Sequence, residues 1–473
     1  MNLTKFFIDN HGCAKNQTDG ELLIGFLVKN GYQVTLNADE ADFILINSCG
    51  FIESAKKESI DAIYNVKNNY PDAKIILTGC LAERYSQQLY ESIPELDGIF
   101  GNGSLEKIVE FMDSVSKGNR CQQTFPQEGI SCGNRPYLFN YHGTAFVKIT
   151  EGCSNHCSFC AIPLIRGEVR SRPVDSIIEE IKGLIEQGVY EINLIGQDLA
   201  AYEADKACEG KSGLCFLLEQ ISLLKGDFIV RLLYIHSDHF NKDIIPVLKK
   251  DPRFLHYFDI PFQSGDDNII VAMNRVGPSS KYVELINTLK KELPDCFLRT
   301  TFLTGFPGET DEAAENTVNF LKAISPSWSG CFPYSREEDT PAYSMKPQVS
   351  KKVAAKRAER LEQIQSELTA KTLEAFVGRE VEVLVEEIIS IDEEVAEDSS
   401  EGLAIGRAWF QAPEVDGSVV IRYDADDSEQ SKNIETGNVV VVKILAVTGV
   451  DLDARFLKLK KARTNNSSLK FVY

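Results

Sequence analysis

No apolar run in this sequence approaches the length of a membrane span. The start, "MNLTKFFIDN", has neither the basic opening nor the long apolar core of a secretion signal. Together these absences predict a cytoplasmic protein without a membrane partner. Solenoid-type repeats are missing, and low complexity is confined to short acidic runs. Positive charge is in deficit: 50 Lys and Arg against 70 Asp and Glu leave a net charge of −20. Such a surface repels nucleic-acid backbones and favours basic partners, although a local basic groove remains compatible with it. Histidine is scarce, at six residues, but cysteine is not, at twelve. In a reducing compartment these thiols are metal ligands, catalytic groups or inert core residues rather than disulfides.

Length allows two to four domains, and three regions separate by pattern. From residue 4 to about 115, short apolar strands ("KFFID", "ADFILINSC", "AKIILTGC") alternate with helical stretches, which indicates a parallel sheet with helices packed on it. Residues 116–138 lack periodicity and read as a linker. From about 139 to 345, six candidate strands ("AFVKIT", "YEINLIG", "DFIVRLLYI", "HYFDI", "FLRTTFLTG", "GCFPYS") alternate with helices. Six strand–helix units predict an open or partial barrel with functional loops at the C-terminal strand ends. A long charged helix bridges to a last region of short strands broken by Gly, Pro and acidic turns, the pattern of a small β-barrel. The fold class is therefore α/β, with expected domains at 3–116, 139–372 and 375–449.

The densest chemistry is "EGCSNHCSFCAIPLIRG", in which Cys153, Cys157 and Cys160 follow a predicted strand directly. Structural zinc takes four ligands, usually two separated pairs. Here there are three close thiols, and neither His142 nor His156 stands at a paired zinc spacing. Iron–sulfur clusters are held by cysteine thiolates, normally four. Three would leave one iron of a 4Fe–4S cluster open, as a catalytic zinc keeps an open position. A second set shares position rather than spacing. Cys13, Cys49 and Cys80 each end a predicted strand, and in a parallel sheet those ends lie along one edge, where ligands bind. They could converge on a second cluster, or be the buried strand cysteines common in any core.

"C-S-N-H-C-S-F-C", with Phe159 between the last two cysteines, resembles the signature of radical S-adenosylmethionine enzymes. The resemblance implies that the open iron chelates S-adenosylmethionine, that one electron cleaves its sulfonium, and that a 5′-deoxyadenosyl radical takes hydrogen from an unactivated C–H bond. "HGCAKNQTDGE", "INSCGFIESAKKESI" and "LTGCLAERY" are similar to the N-terminal domain of the methylthiotransferase family. That likeness covers nearly the whole chain, including a C-terminal barrel of the TRAM type. It implies an auxiliary 4Fe–4S cluster on Cys13, Cys49 and Cys80 for sulfur delivery. It also implies two roles for S-adenosylmethionine, as methyl donor and as radical source, and a C–S–CH3 group as product. The same likeness places Gln197 and the loop 305–309, with Gly305 and Glu309, at the S-adenosylmethionine pocket, and Arg299 at the cofactor's carboxylate. Gly-rich strand ends are common in α/β proteins, so these three placements stay open beside a purely structural reading. Arg170 and Arg172 read as a solvated face or a substrate patch. Cys121, Cys132, Cys208, Cys215, Cys296 and Cys331 read as inert, with a local pair between Cys121 and Cys132 as the alternative.

The family has a branch acting on an adenosine of transfer RNA and a branch acting on an aspartate of small-subunit ribosomal protein S12. Residues 379–450 hold 17 acidic and 5 basic side chains. An RNA-binding module shows a basic footprint, whereas this balance suits docking on a basic protein. "CAIPLIRG" and "AIGRAWFQAPEVDG", with Arg407, Pro413, Asp416 and Gly417, resemble the ribosomal-protein branch. "LYIHSDHF" and "PFQSGDDN" depart somewhat from the usual family runs. The basic tail after about 450 keeps transfer RNA open as the alternative substrate, and a non-catalytic iron–sulfur carrier is the alternative from another class. No electron donor is named by the sequence.

Overall fold

The computed structural model of the chain describes residues 3–203, 210–389, 401–463 and 469–471. Cys208 and residues 390–400, five of whose side chains entered the acidic count, lie outside them.

The N-terminal sheet holds six parallel strands: β1 (Lys5–Asn10), β2 (Gln33–Val34), β3 (Phe43–Ser48), β4 (Lys74–Thr78), β5 (Gly98–Phe100) and β6 (Cys121–Gln123), in the order β2-β1-β3-β4-β5-β6. β3 is buried at every position, as expected where helices cover both faces of a parallel sheet. One face packs Leu22, Leu23, Leu27 and Phe111; the other packs Ile63, Val66, Leu81 and Leu89. The stretch read as a linker is part of this body. β6 pairs with β5, and Arg135 is buried in ion pairs with Glu21 and Glu180. Aperiodic sequence concealed this because the anchoring comes from charge pairs and short strand contacts, not from an apolar stripe.

The central sheet holds β7 (Thr144–Lys148), β8 (Glu191–Ile195), β9 (Ile229–Leu232), β10 (Phe254–Asp259), β11 (Phe297–Thr304) and β12 (Trp328–Pro333). All pairings are parallel and sequential. Helix Lys351–Glu374 closes the far edge. Gln365 donates to Pro326 O and Thr369 to Ser327 O, and Ala354 lies against Gly305, where a Cβ would stand 2.2 Å from its methyl.

β13 (Glu380–Ile389), β14 (Glu401–Ala408), β15 (Val419–Asp424), β16 (Val439–Thr448) and β17 (Asp451–Lys461) form a closed barrel in the order β13-β14-β15-β17-β16. Four contacts are antiparallel and β15–β17 is parallel. Residues 451–461 of the basic stretch are thus no tail: they form the closing strand, so the barrel runs past 449, while residues 464–468 and 472–473 lie outside the described residues. The strand's cations are largely spoken for on the barrel surface, Arg455 by Glu401 and Lys460 by Glu382, while Lys461 reaches Asp227.

The barrel plugs the lower end of the central sheet. Trp409 and Phe410 pack on Phe297 and Phe376, and Trp328 Nε1 donates to Phe410 O at 2.8 Å. Arg407 pairs with Glu191 and Glu386, each at 2.6 Å, and all three are buried. No helix among the described residues is long and apolar enough to cross a membrane.

Candidate active site between two cysteine triads

Both triads stand where strands end, and glycine makes each loop possible. Gly152, directly before Cys153, has φ +77, and a Cβ there would lie 2.1 Å from Glu168 O. Gly12, directly before Cys13, has φ +95, and its Cβ would crowd Cys49. Only glycine takes such conformations without strain. Cys13 caps helix Ala14–Lys29, Cys49 follows β3, and Cys80 opens the helix Gly79–Arg84 after β4. Cys153, Cys157 and Cys160 occupy the loop between β7 and helix Ile162–Arg166. None of these thiols is in a disulfide. Cys121 and Cys132 are free as well, which removes the local pair.

The two sets meet. Cys80 packs with Ala161 and Ile165 in one small buried cluster. Arg166, six residues past Cys160, donates from Nη2 to Cys80 Sγ at 3.1 Å. The same guanidinium pairs with Asp19 at 2.7 Å and Glu151 at 2.9 Å, and Lys148 bridges those two carboxylates from the other side. This buried network ties the N-terminal helix to the central sheet beneath both triads. It holds the Glu151 carboxyl well below its ordinary range: burial pushes it up, but Arg166 and Lys148 outweigh that.

Thiol electrostatics differ within the first set. Burial pushes Cys49 up to about 12, with the neighbouring Cys80 and Cys13 adding to it. Burial also raises Cys80. Cys13 is lowered: burial opposes it, but the Lys15 ammonium, the Asn16 N–H and Arg166 win. Cys13 is also exposed. Since thiolate is the reactive form, iodoacetamide added to the metal-free chain at neutral pH is expected to label Cys13 before Cys49 and Cys80. Peptide mass spectrometry reads the order, and earlier labelling of Cys49 or Cys80 would contradict this electrostatic picture.

In the second set burial pushes Cys153 up to about 11 and Cys160 up to about 12, and the neighbouring thiols add to it. Such groups become thiolates when a metal displaces the proton. The donor set therefore fits a cluster held by three cysteines. Polar groups with no hydrogen-bond partner stand nearby: Thr150 Oγ1, Gln197 Oε1 and Arg275 Nε. They fit a polar cofactor at the sheet's mouth. Gln197 otherwise donates to Glu151 at 3.0 Å.

Other sequence-based placements change. Arg299 is held by Asp416 at 2.7 Å and by the Val415 carbonyl, and Tyr257 also donates to Asp416. It therefore serves barrel docking, as Arg407 does, and two of the four branch-marking residues, Arg407 and Asp416, are internal fasteners. Glu309 accepts from the Gly305 N–H at 2.7 Å and pairs with Arg357, so the loop 305–309 is fixed to helix Lys351–Glu374. Arg172 is no solvated face: it is buried, with Glu180, Ser176 and the Lys148 carbonyl as partners. Arg170 is half-buried and donates to the carbonyls of Gly129, Arg166 and Glu168.

Sequence reasoning missed a cluster after β8 and β9. Asp198 accepts from His236 N at 3.1 Å and Asn155 Nδ2 at 3.1 Å, and its Oδ2 lies 2.8 Å from His239 Nδ1. Through Asn155 it braces the cysteine loop, and His236 Nε2 lies 3.8 Å from Cys157 Sγ. Arg275 also adds positive charge beside Cys160. The available signal was position, since "IHSDHF" follows a strand end just as the cysteines do.

Comparison with known proteins agrees with this three-part build. Residues 5–101 match the model of uncharacterized protein family UPF0004, residues 147–321 the radical SAM superfamily, and residues 377–457 the TRAM domain. The ribosomal protein uS12 methylthiotransferase RimO of Treponema denticola is 49% identical, over 94% of this chain and 99% of that protein. RimO of Natranaerobius thermophilus is 39% identical, over 93% and 96%. The solved radical S-adenosylmethionine methyltransferase TsrM from Kitasatospora setae shares the fold, with a TM-score of 0.53 and 14% identity over 72% of this chain and 77% of that one. With two paired thiol triads, a six-stranded radical domain and a TRAM barrel, the chain belongs to the RimO family of radical S-adenosylmethionine methylthiotransferases.

Proposed function

We propose that this enzyme places a methylthio group on the β-carbon of an aspartate in ribosomal protein S12, using two 4Fe–4S clusters and S-adenosylmethionine. The observation that carries the reading is the junction of the two triads through Cys80, Ala161 and Arg166. It supports two neighbouring sites held by one buried network. Cys153, Cys157 and Cys160 would hold the cluster that binds S-adenosylmethionine, and Cys13, Cys49 and Cys80 the auxiliary cluster. When bound, these groups supply the radical cleavage and the sulfur. The chain's own side chains do the rest: Arg166 fixes the spacing of the two sites, Asn155 and Asp198 brace the cysteine loop, and Gln197 and Arg275 offer polar contacts to the cofactor.

The target choice rests on charge and on the RimO relatives. A basic ribosomal protein complements an acidic enzyme. The basic stretch after 450, which alone favoured RNA, spends Arg455 and Lys460 on the barrel's own acids. The test is anaerobic reaction of the fully loaded enzyme with S12 and transfer RNA in parallel, read by mass spectrometry. A methylthio addition on the S12 aspartate is expected. Addition only to transfer RNA would keep the enzyme class and overturn the substrate. Soluble surroundings with S12 as partner fit a cytoplasmic enzyme.

A further inference from the structure

We infer that Lys15 is the counter-ion that seats the substrate's aspartate carboxylate beside the auxiliary site. The inference rests on the substrate reading above and adds a specificity-determining residue to it.

Lys15 is buried in the first turn of helix Ala14–Lys29, two residues beyond Cys13. Its ammonium stands 3.2 Å from the ring centroid of Tyr234. Among the described residues it makes no hydrogen bond and no ion pair within 4.0 Å. A buried cation in that condition is costly, because desolvation of an ammonium amounts to several kcal/mol and an aromatic face recovers only part of it. Neighbouring ion pairs show what this fold does with other buried cations. Lys148 has both Asp19 and Glu151, Arg166 has the same two, and Arg407 has Glu191 and Glu386.

Burial pulls Lys15 below its ordinary range, and the charged groups facing it include Cys13, Asp259, Arg166 and Glu151. The two carboxylates are committed elsewhere. Asp259 accepts from the Tyr234 N–H at 3.2 Å and faces Arg299. Glu151 is taken by Lys148, Arg166 and Gln197. Tyr234 itself is held at φ +67, a conformation aromatic residues rarely adopt. Such local strain persists where surrounding structure imposes it, and it clusters at ligand clamps. The cation is therefore displayed on a fixed platform, with Cys13 as its nearest anionic group and no carboxylate of its own.

The proposed reaction supplies that anion. The β-carbon of aspartate is bonded directly to the carboxylate carbon, so bringing it to sulfur at Cys13, Cys49 and Cys80 brings the carboxylate to the same place. A substrate whose reacting carbon carries no acid would leave Lys15 without a carboxylate partner. This chemistry makes Lys15 a device for selecting aspartate.

The test uses enzyme loaded with both clusters and titrated anaerobically with S12 and with S12 carrying asparagine at the modified position. Wild-type enzyme is expected to prefer the aspartate form by about 100-fold in Kd, the scale of a buried charge pair losing one partner. Lys15→Met and Lys15→Gln should reduce that preference to about threefold or less, and Lys15→Arg should restore about tenfold of it. Iron content and visible absorption of each variant accompany the titration. An aspartate preference kept in both neutral variants would overturn the inference while sparing the substrate reading. Equal weakening toward both S12 forms, or weakening only toward S-adenosylmethionine, would likewise overturn it by giving Lys15 a structural or cofactor role. No aspartate preference in the wild-type enzyme would bring down the substrate reading and the inference together.

Discussion

Replacing Cys153, Cys157 or Cys160 with alanine is expected to abolish cleavage of S-adenosylmethionine, whereas replacing Cys13, Cys49 or Cys80 should spare cleavage and abolish methylthiolation. The expectation follows from placement. The first three share one loop after β7, braced by Asn155 and Asp198 and flanked by His236 and Arg275. The second three lie on three separate strand ends of the N-terminal sheet. A cluster normally has four thiolates, so a triad already operates one ligand short, and removal of another leaves two. Anaerobic chromatography for 5′-deoxyadenosine, beside mass spectrometry of S12, separates the two outcomes. Loss of cleavage from any Cys13-set variant that still holds the Cys153-set cluster would show that the roles are not divided this way.

Arg166→Met should be the most damaging single change outside the cysteines. The guanidinium is buried and closes a network with Asp19, Glu151 and Lys148 while donating to Cys80. Without it two buried carboxylates share one lysine. Breaking a buried pair by removing one partner costs about 3–5 kcal/mol. For a unit of this size that corresponds to a fall in melting temperature on the order of 10 °C. Arg166→Lys should recover little, since one ammonium does not reproduce a fork reaching two carboxylates and a thiol. Thermal unfolding of the metal-free chain checks this without involving cluster chemistry. A melting temperature unchanged in Arg166→Met would show that the network does not hold the domains together.

Much of this was legible in the sequence because strand ends are marked by composition. "FILINSC" and "IILTGC" announce both a buried parallel strand and a cysteine at its C-terminal end, and the Cys153 loop carries its own spacing. Six central strands were visible for the same reason, being short apolar runs between amphipathic helices. What sequence concealed were partnerships between distant charges. Arg172 reads as surface until Glu180 is seen two helical turns on, and Arg135 reads as linker until Glu21 covers it. Arg407 and Asp416 carry the branch likeness, yet their partners Glu191 and Arg299 show that they fasten the barrel. Residues 451–461 were read as tail because alternation in "DLDARFLKLKK" is blurred by its cations, although Leu452, Ala454 and Phe456 point inward. Lys15 gave no signal, since a lysine in a first helical turn is ordinarily solvated.

The central claim is that one chain carries two neighbouring cluster sites on two cysteine triads. Iron and acid-labile sulfide, counted after anaerobic reconstitution, test it most directly. The wild-type chain should hold about eight irons, and about four after replacement of Cys13, Cys49 and Cys80 together or of Cys153, Cys157 and Cys160 together. A wild-type content of about four, unchanged by loss of the Cys13 set, would contradict the two-site account.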